Sequence, residues 1–257
     1  MNVVRAKKHL GQHFLTDNTI AKKIADVLVL DRTDTVLEVG PGMGVLTRCL
    51  IERKVKDLSV IEIDPESIGY LEEKFSGLTI IEGDFLKYDL QNHSREPFAI
   101  IGNFPYNISS QIFFKALANR NKVIELAGMI QKEVAERICA GPGSKTYGIL
   151  SVLLKVYYDI DYLFNVPPTV FNPQPRVNSA VIRMTRNNTE EPGCNEKLLT
   201  SVVKATFNQR RKMIRNSLRS AYPIGDAANK YLSRRPEQLS LEEFIELTNW
   251  VDEIVHN

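Results

Sequence analysis

Four short stretches put chemically capable residues directly after apolar runs. "EVGPGMGVLT" (38–47) sets Glu38, Gly40, Gly42 and Gly44 at alternate positions. Glu62 follows "SVI" 22 residues after Gly40, Asp84 closes "LTIIEGD", and Asn103 closes "FAIIGN" before Phe104, Pro105 and Tyr106. Closely spaced glycines at a strand-to-helix turn let a ligand approach the backbone. A carboxylate ending the next strand can accept from both ribose hydroxyls, as in dinucleotide folds. Asp84 is placed to accept from the exocyclic amine of an adenine. Singly, each is equally an ordinary turn or a solvated strand end. Three consecutive strand ends carrying Gly, Glu and Asp share the carboxyl edge where open α/β sheets bind ligands, and they point to an adenosine.

The glycines read G-x-G-x-G, not the G-x-G-x-x-G of dinucleotide folds, and no G-x-x-x-x-G-K-[ST] loop occurs. That pattern fits a ligand without a pyrophosphate, and S-adenosyl-L-methionine (SAM) meets it with an adenine, a ribose and an amino-acid tail. Methyl transfer gives "NFPY" a task. An exocyclic base amine is a poor nucleophile because its lone pair is delocalised into the ring, so it must be held in line with the methyl carbon. Acceptors aimed at its N–H bonds, the Asn103 side-chain oxygen and a backbone carbonyl such as that of Phe104, stabilise the charge that develops on attack. Pro105 restricts Phe104 to extended geometry. Tyr106 is a platform for a base swung out of RNA. Phe104 alone reads as a residue packed against a helix.

The elements that must hold these residues follow from periodicity. A basic arm (1–15) precedes a helix near Asp17 to Leu28, with Asp17 or Thr16 as its cap. Strands are expected at 35–40, 58–64, 78–84, 98–103 and 123–131, and helices at 44–53, 65–75, 109–119 and 132–140. Apolar strands alternating with helices predict a mostly parallel sheet covered on both faces, a Rossmann-like α/β fold. A Gly-rich loop at 140–148, a helix, and strands in "VYYDIDYLFNV" and "VNSAVIRMT" follow, with a proline cluster (166–177) between those strands. The polar segment 186–196 is the expected boundary, giving a domain at 1–185 and a small all-helical domain at 186–257.

The 257 residues carry a net charge of only +2, so any nucleic-acid signal lies in how charge is arranged. Three scattered cysteines and four scattered histidines form no disulfide framework or metal cluster, which fits a reducing cytosol and no metal. No apolar run approaches the length of a membrane span.

The quoted motifs, with "GQHFL" (11–15), "QKEVAERICAGPGSKTYGILSV" (131–152), "VPPTVFNPQPRVNSAVIRM" (166–184) and "FNQRRKMIRNSL" (207–218), resemble the bacterial small-subunit (16S) rRNA adenine dimethyltransferases, the kasugamycin-sensitivity family, nearly end to end. The resemblance implies transfer of four methyls from SAM to N6 of two adjacent adenosines near the 3′ end of small-subunit rRNA, late in ribosome biogenesis. The partner it implies is rRNA within the immature 30S particle, met by a cytoplasmic monomer. It implies SAM contacts at His13, Leu15, Gly40, Gly42, Glu62, Asp84 and Asn103, and a target base at Asn103, Pro105 and Tyr106, with Phe171 closing from the other face; by its own sequence context Phe171 reads instead as a core aromatic in a proline turn. His13 stands where Asn is usual in the family, and Phe104 where Leu is usual. The large-subunit methyltransferases of macrolide resistance share the catalytic motifs, but "GPGSKTYG" and "FNQRRKMIRNSL" favour the small-subunit family. A non-catalytic RNA-binding factor of the same descent is disfavoured by the intact Gly40, Glu62, Asp84 and Asn103-Pro105-Tyr106 set.

"KATFNQRRKMIRNSLRS" (204–220) carries Lys204, Arg210, Arg211, Lys212, Arg215 and Arg219 without an acid, whereas the last 37 residues hold seven acids and three bases. On one continuous helix, Arg211, Arg215 and Arg219 share a face. Such focused charge favours RNA phosphate contacts over a merely solvated face. Arg5, Lys7 and Lys8 of the arm either add to that surface or belong to an arm that is simply disordered.

Overall fold

The computed structural model describes residues 4–256. Its strands are β1 (Phe14–Leu15), β2 (Thr35–Val39), β3 (Asp57–Glu62), β4 (Thr79–Glu82), β5 (Phe98–Asn103), β6 (Val123–Gln131), β7 (Tyr158–Val166), β8 (Phe171–Asn172) and β9 (Ser179–Arg186). Its helices are α1 (Asn18–Asp26), α2 (Val45–Glu52), α3 (Pro65–Lys74), α4 (Ser109–Ala118), α5 (Lys132–Cys139), α6 (Ile149–Lys155), α7 (Glu196–Asn208), α8 (Ile214–Arg219) and α9 (Leu241–His256).

Seven strands form one sheet in the order β4-β3-β2-β5-β6-β9-β7. The first five are parallel and β9 runs antiparallel to β6. Strand order reverses between β2 and β5, so the Gly40–Gly44 turn and Asn103 flank the crevice where such sheets take ligands. The central strands are buried on both faces: Val36, Leu37, Ile100, Ile101, Leu126 and Ala127 are all inaccessible, as a parallel sheet between helix layers requires. Local signals set the helix starts. Asp17 accepts from the N–H groups of Thr19 and Ile20 to cap α1, and Asp64 caps α3 with Pro65 in its first turn.

The chain divides into two compact units, residues 1–135 with 159–186, and 136–158 with 187–257. The expected polar boundary at 186 lies where the chain leaves the first unit for the last time. Segment 136–158, expected within the first domain, groups instead with the C-terminal helices. The Gly143 N–H donates to the Glu237 carbonyl at 2.6 Å, Arg210 donates to the Ser144 carbonyl at 3.0 Å, and the Tyr147 ring meets that of Phe207 edge-on at 5.8 Å. Among the described residues the second unit contains α6 to α9 and no strand of the main sheet beyond the first residue of β7.

The expected single basic helix over 204–220 is two helices. α7 ends at Asn208, residues 209–213 turn, and α8 starts at Ile214. The leading N–H groups of α8 are taken by carbonyls from elsewhere: Ile214 donates to Arg234 at 2.8 Å and Arg215 to Leu232 at 3.0 Å. A continuous helix would direct those donors back into its own turn.

Candidate active site

Four consecutive parallel strands end at the site. Gly40, Gly42 and Gly44 all have positive φ, at 68°, 55° and 70°, which makes the turn after β2 a glycine turn. It closes tightly, since a Cβ on Gly44 would stand 2.3 Å from the Phe75 ring. Glu62 ends β3 only 5% exposed. Its carboxylate accepts from the backbone N–H groups of Gly42 (3.2 Å), Ile63 (2.9 Å) and Asp64 (3.0 Å). About one of its four lone-pair positions is left for a ligand. Burial pushes its pKa up, and those three hydrogen bonds oppose the shift.

Asp84 follows β4. One oxygen accepts from the Leu86 N–H at 2.9 Å, and the other lies 4.0 Å from the Lys87 ammonium. Asn103 ends β5 and donates through Nδ2 to the His13 carbonyl at 2.8 Å. That bond uses one of the two amide N–H groups and fixes the side-chain orientation, with the oxygen as its acceptor. The Phe104 ring is buried, 1% exposed, and packs so closely on Gly128 that a Cβ there would approach it to 2.2 Å. It is a core residue, as its sequence context suggests. Tyr106 places its hydroxyl 2.5 Å from Ser179 Oγ and its ring 5.3 Å from the His13 ring.

These residues line two adjoining lobes that share Leu10, Gly40, Glu62, Ile63 and Pro105, each with about 600–700 Å³ of atom-free space open to solvent. One lobe holds Glu38, Asn103 and Tyr106, and the other holds Asp84. His13, Leu15 and Gly42 line the first, so the expected cofactor residues come together. The lining contains three carboxyl groups and, among the described residues, no Lys or Arg. That chemistry rejects a phosphate and suits a cationic ligand carrying hydroxyl and amine donors.

Phe171 lies where its sequence context puts it, in the core, and not where the resemblance implies. It pairs with Leu15 across the β1–β8 ribbon, is 3% exposed, and belongs to the apolar cluster with Leu46, Ala99 and Met129. It is absent from the lining of both lobes. In this conformation its ring serves the core, because covering a base would withdraw it from that cluster.

Three contributors take on a role at the site that the sequence analysis did not assign them. Glu38 is 1% exposed and accepts from the Thr47 hydroxyl at 2.6 Å. Burial, aided by the nearby Glu62, pushes its pKa up to about 8 against the Thr47 hydrogen bond. An acid inside the apolar run "TVLEV" was its sequence signal. Ile63 is 47% exposed between two buried acids and gives the shared wall an apolar face. The N-terminal arm is the third. Lys7 pairs with the fully buried Asp64 and lies 3.3 Å from Glu66, while Gln12 donates to Asp64 at 3.1 Å. Burial pushes the Asp64 carboxyl up, but the bonds from Lys7 and Gln12 prevail and hold it below its usual range. Lys7 is therefore a strut of the first unit, not a free cation for RNA.

A sequence profile described as "Ribosomal RNA adenine dimethylase" matches residues 3–253. The chain belongs to that family. It is 55% identical over 262 residues to the ribosomal RNA small subunit methyltransferase A of Phocaeicola vulgatus, covering 100% of this chain and 93% of that protein. The protein of the same name from Flavobacterium johnsoniae is 54% identical, with 98% of each chain covered. Among solved structures, a dimethyladenosine transferase from Plasmodium falciparum shares the fold with a TM-score of 0.77 at 24% identity, covering 94% of this chain and 98% of that one. The 23S rRNA methyltransferase ErmE has a TM-score of 0.69 at 28% identity, covering 93% and 99%. Family membership makes the chain an rRNA adenine dimethyltransferase of the SAM-dependent class, on the Rossmann-like sheet expected from the sequence. Among the described residues no helix is long and apolar enough to cross a membrane.

The basic segment of the second unit is mixed. Arg219 pairs with Asp226 at 2.5 Å, and Arg210 lies 4.0 Å from Glu237 while donating to Ser144. The acids come from outside the 204–220 window, which is why the sequence read all six bases as uncompensated. Lys204, Arg211, Lys212 and Arg215 are exposed.

Proposed function

We propose that this enzyme dimethylates N6 of two adjacent adenosines near the 3′ end of small-subunit rRNA, with SAM as donor, during late assembly of the subunit in the cytoplasm. The observation that carries the reading is Asn103. Its amide donates to the His13 carbonyl through nitrogen, so its oxygen is the side-chain acceptor it brings to the lobe that Tyr106 also lines. An acceptor beside an aromatic ledge suits an exocyclic amine that becomes positive as it attacks. The identity of 54–55% to small-subunit relatives, against 28% to ErmE, favours the small-subunit substrate.

When bound, SAM supplies an electrophilic methyl on a sulfonium. The protein's part is to bind and orient. Glu62 holds ribose hydroxyls, and the Gly42 N–H at 3.2 Å is its longest bond and the first to yield to one of them. Ile63 faces the adenine, and the Asp84 oxygen not bonded to the Leu86 N–H accepts from its amine. Glu38 faces the amino-acid tail. Asn103 Oδ1 and the Phe104 carbonyl accept from the target N6, and Tyr106 supports the flipped base. Lys204, Arg210, Arg211, Lys212, Arg215 and Arg219 form the RNA-contacting set, with the four that are in no ion pair among the described residues contributing most. The enzyme acts as a monomer on the immature 30S particle.

The test is methyl transfer to small subunits that lack these methyls, with the product bases mapped. Dimethyladenosine at two adjacent positions is expected. Transfer to large-subunit rRNA alone, or none, would overturn the reading.

A further inference from the structure

A second groove opens on the other side of His13. It shares Gly11, Gln12 and His13 with the Asn103 lobe and has about 900 Å³ of atom-free space open to solvent. Pro173 and Pro175 line it with two rigid apolar rings, and its charged side chains are Lys8 and Arg176. No carboxylate lines it among the described residues. Lys8 and Arg176 are both exposed, and neither is held in an ion pair among the described residues, in contrast to the neighbouring Lys7. His13 is the dividing wall. Its ring Nδ1 lies 2.7 Å from the Pro173 carbonyl, its own carbonyl holds Asn103, and its ring faces Tyr106 at 5.3 Å.

A single strand delivering a base to Asn103 must place its adjoining nucleotide somewhere close to the ledge. Groove and base site have a common wall, and their linings contrast. The cofactor lobes hold carboxyls and no Lys or Arg, whereas the groove holds cations and no carboxylate. Phosphates are drawn to the second and repelled from the first. The exposed Pro173 ring and the His13 imidazole offer faces on which any base can rest.

We propose that this groove seats the nucleotide adjoining the target adenosine, with Lys8 and Arg176 on its flanking phosphates and His13 separating the two bases. The inference rests on the proposed function. Under that reading the occupant is the second of the two adjacent adenosines, parked while the first is methylated. His13, where Asn is usual in the resembling family, reaches both Tyr106 and the Pro173 carbonyl through its ring and so makes a broad partition.

The test uses the double variant Lys8→Ala/Arg176→Ala of the full chain and unmethylated small subunits. Both side chains are exposed, so the melting temperature and SAM affinity are expected to match wild type. The log–log salt slope of subunit binding is expected to fall by about 1.4, from roughly 0.7 for each of two single-strand phosphate contacts. Methyl transfer per encounter, kcat/KM, is expected to drop roughly tenfold, with particles modified at only one of the two adenosines accumulating. Active wild-type enzyme alongside a double variant with unchanged salt slope and product distribution would overturn the groove alone. Wild-type enzyme that leaves small subunits unmethylated would overturn the functional reading and this inference with it.

Discussion

The carboxyl edge of the main sheet and the basic segment of the second unit solve opposite problems. At the sheet edge, polar atoms are committed in advance. Three N–H groups fix Glu62, one carbonyl fixes Asn103, and one hydroxyl meets Tyr106. In the basic segment, four cations stand in solvent, and two more are partly satisfied by Asp226 and Glu237. Buried, preorganised groups act through geometry and lose much when one atom is removed. Exposed charges act through counterion release and lose little each, in a salt-dependent way. Variants in the two regions should therefore differ in kind as well as in size.

The largest effect is expected at Asn103. Under the proposed function, Asn103→Ala deletes an acceptor whose value grows as N6 becomes positive. Single-turnover methylation should slow by roughly 10²–10³-fold, the loss seen when one preorganised donor is removed from an oxyanion hole, here with the sign of charge reversed. A normal transfer rate would remove Asn103 from the reaction and weaken the contrast at its strongest point.

Glu62→Ala comes next. SAM affinity should fall by about 1.5–3 kcal/mol, the range for a lost hydrogen bond to a charged group. Because three backbone N–H groups lose their acceptor, the melting temperature should fall as well. Calorimetry showing unchanged affinity in a folded variant would mean that Glu62 is only a backbone clamp.

Glu38 sharpens the comparison through pH. Its folded pKa is raised by burial from 4.5 to about 8. Between those values the folded protein keeps a proton that the unfolded chain releases, so the unfolded state binds fewer protons. Stability of the cofactor-free protein should then fall as pH rises from about 4.5 to about 8 and level off above. The slope from this one group is at most about 1.4 kcal/mol per pH unit. Glu38→Gln should abolish that fall. Denaturant melts at stepped pH giving parallel curves for variant and wild type would show that Glu38 ionises normally.

In the basic segment, Arg211→Ala/Lys212→Ala/Arg215→Ala should lower the salt slope of subunit binding by about 0.7–0.9 log units for each phosphate that is no longer neutralised, with SAM affinity unchanged. Arg219→Ala should do less, because Asp226 already holds that guanidinium. Equal losses per residue in the two variants would show that ion pairing in the free protein does not grade the RNA contacts.

The sheet edge was readable because its logic is local. An apolar run that stops at Gly, Glu, Asp or Asn places that residue at the carboxyl end of a parallel strand, and each of the four strands β2 to β5 lies within about two residues of its expected span. What stayed hidden depends on partners far along the chain. Lys7 meets Asp64 across 57 residues, and the break before α8 depends on carbonyls of Leu232 and Arg234. The β1–β8 ribbon has two residues per strand, too few to show a period, yet it is what carries Phe171 into the core. The grouping of 136–158 with the C-terminal helices has the same origin, since Gly143, Ser144 and Tyr147 find their partners at Glu237, Arg210 and Phe207.

The smallest effect is expected from Tyr106→Phe, and it tests whether the hydroxyl belongs to the fold or to the chemistry. If Tyr106 supports the base by stacking, the ring is what matters, and transfer under single-turnover conditions should stay within about twofold of wild type. Tyr106→Ala removes the platform and should weaken productive engagement by about 1–3 kcal/mol. The hydroxyl instead meets Ser179 Oγ at 2.5 Å, and Ser179 is fully buried. Its loss leaves a buried hydroxyl unpaired, so Tyr106→Phe should cost roughly 1 kcal/mol of stability without touching the rate. Removing both partners is cheaper than removing one, because no unsatisfied donor or acceptor is left behind. Tyr106→Phe/Ser179→Ala should therefore recover most of the lost stability, a positive coupling that denaturant melts of the four proteins would measure. A phenylalanine variant as impaired in methyl transfer as the alanine variant would overturn this division. The hydroxyl would then act at the base itself, and the bond to Ser179 would be the device that aims it.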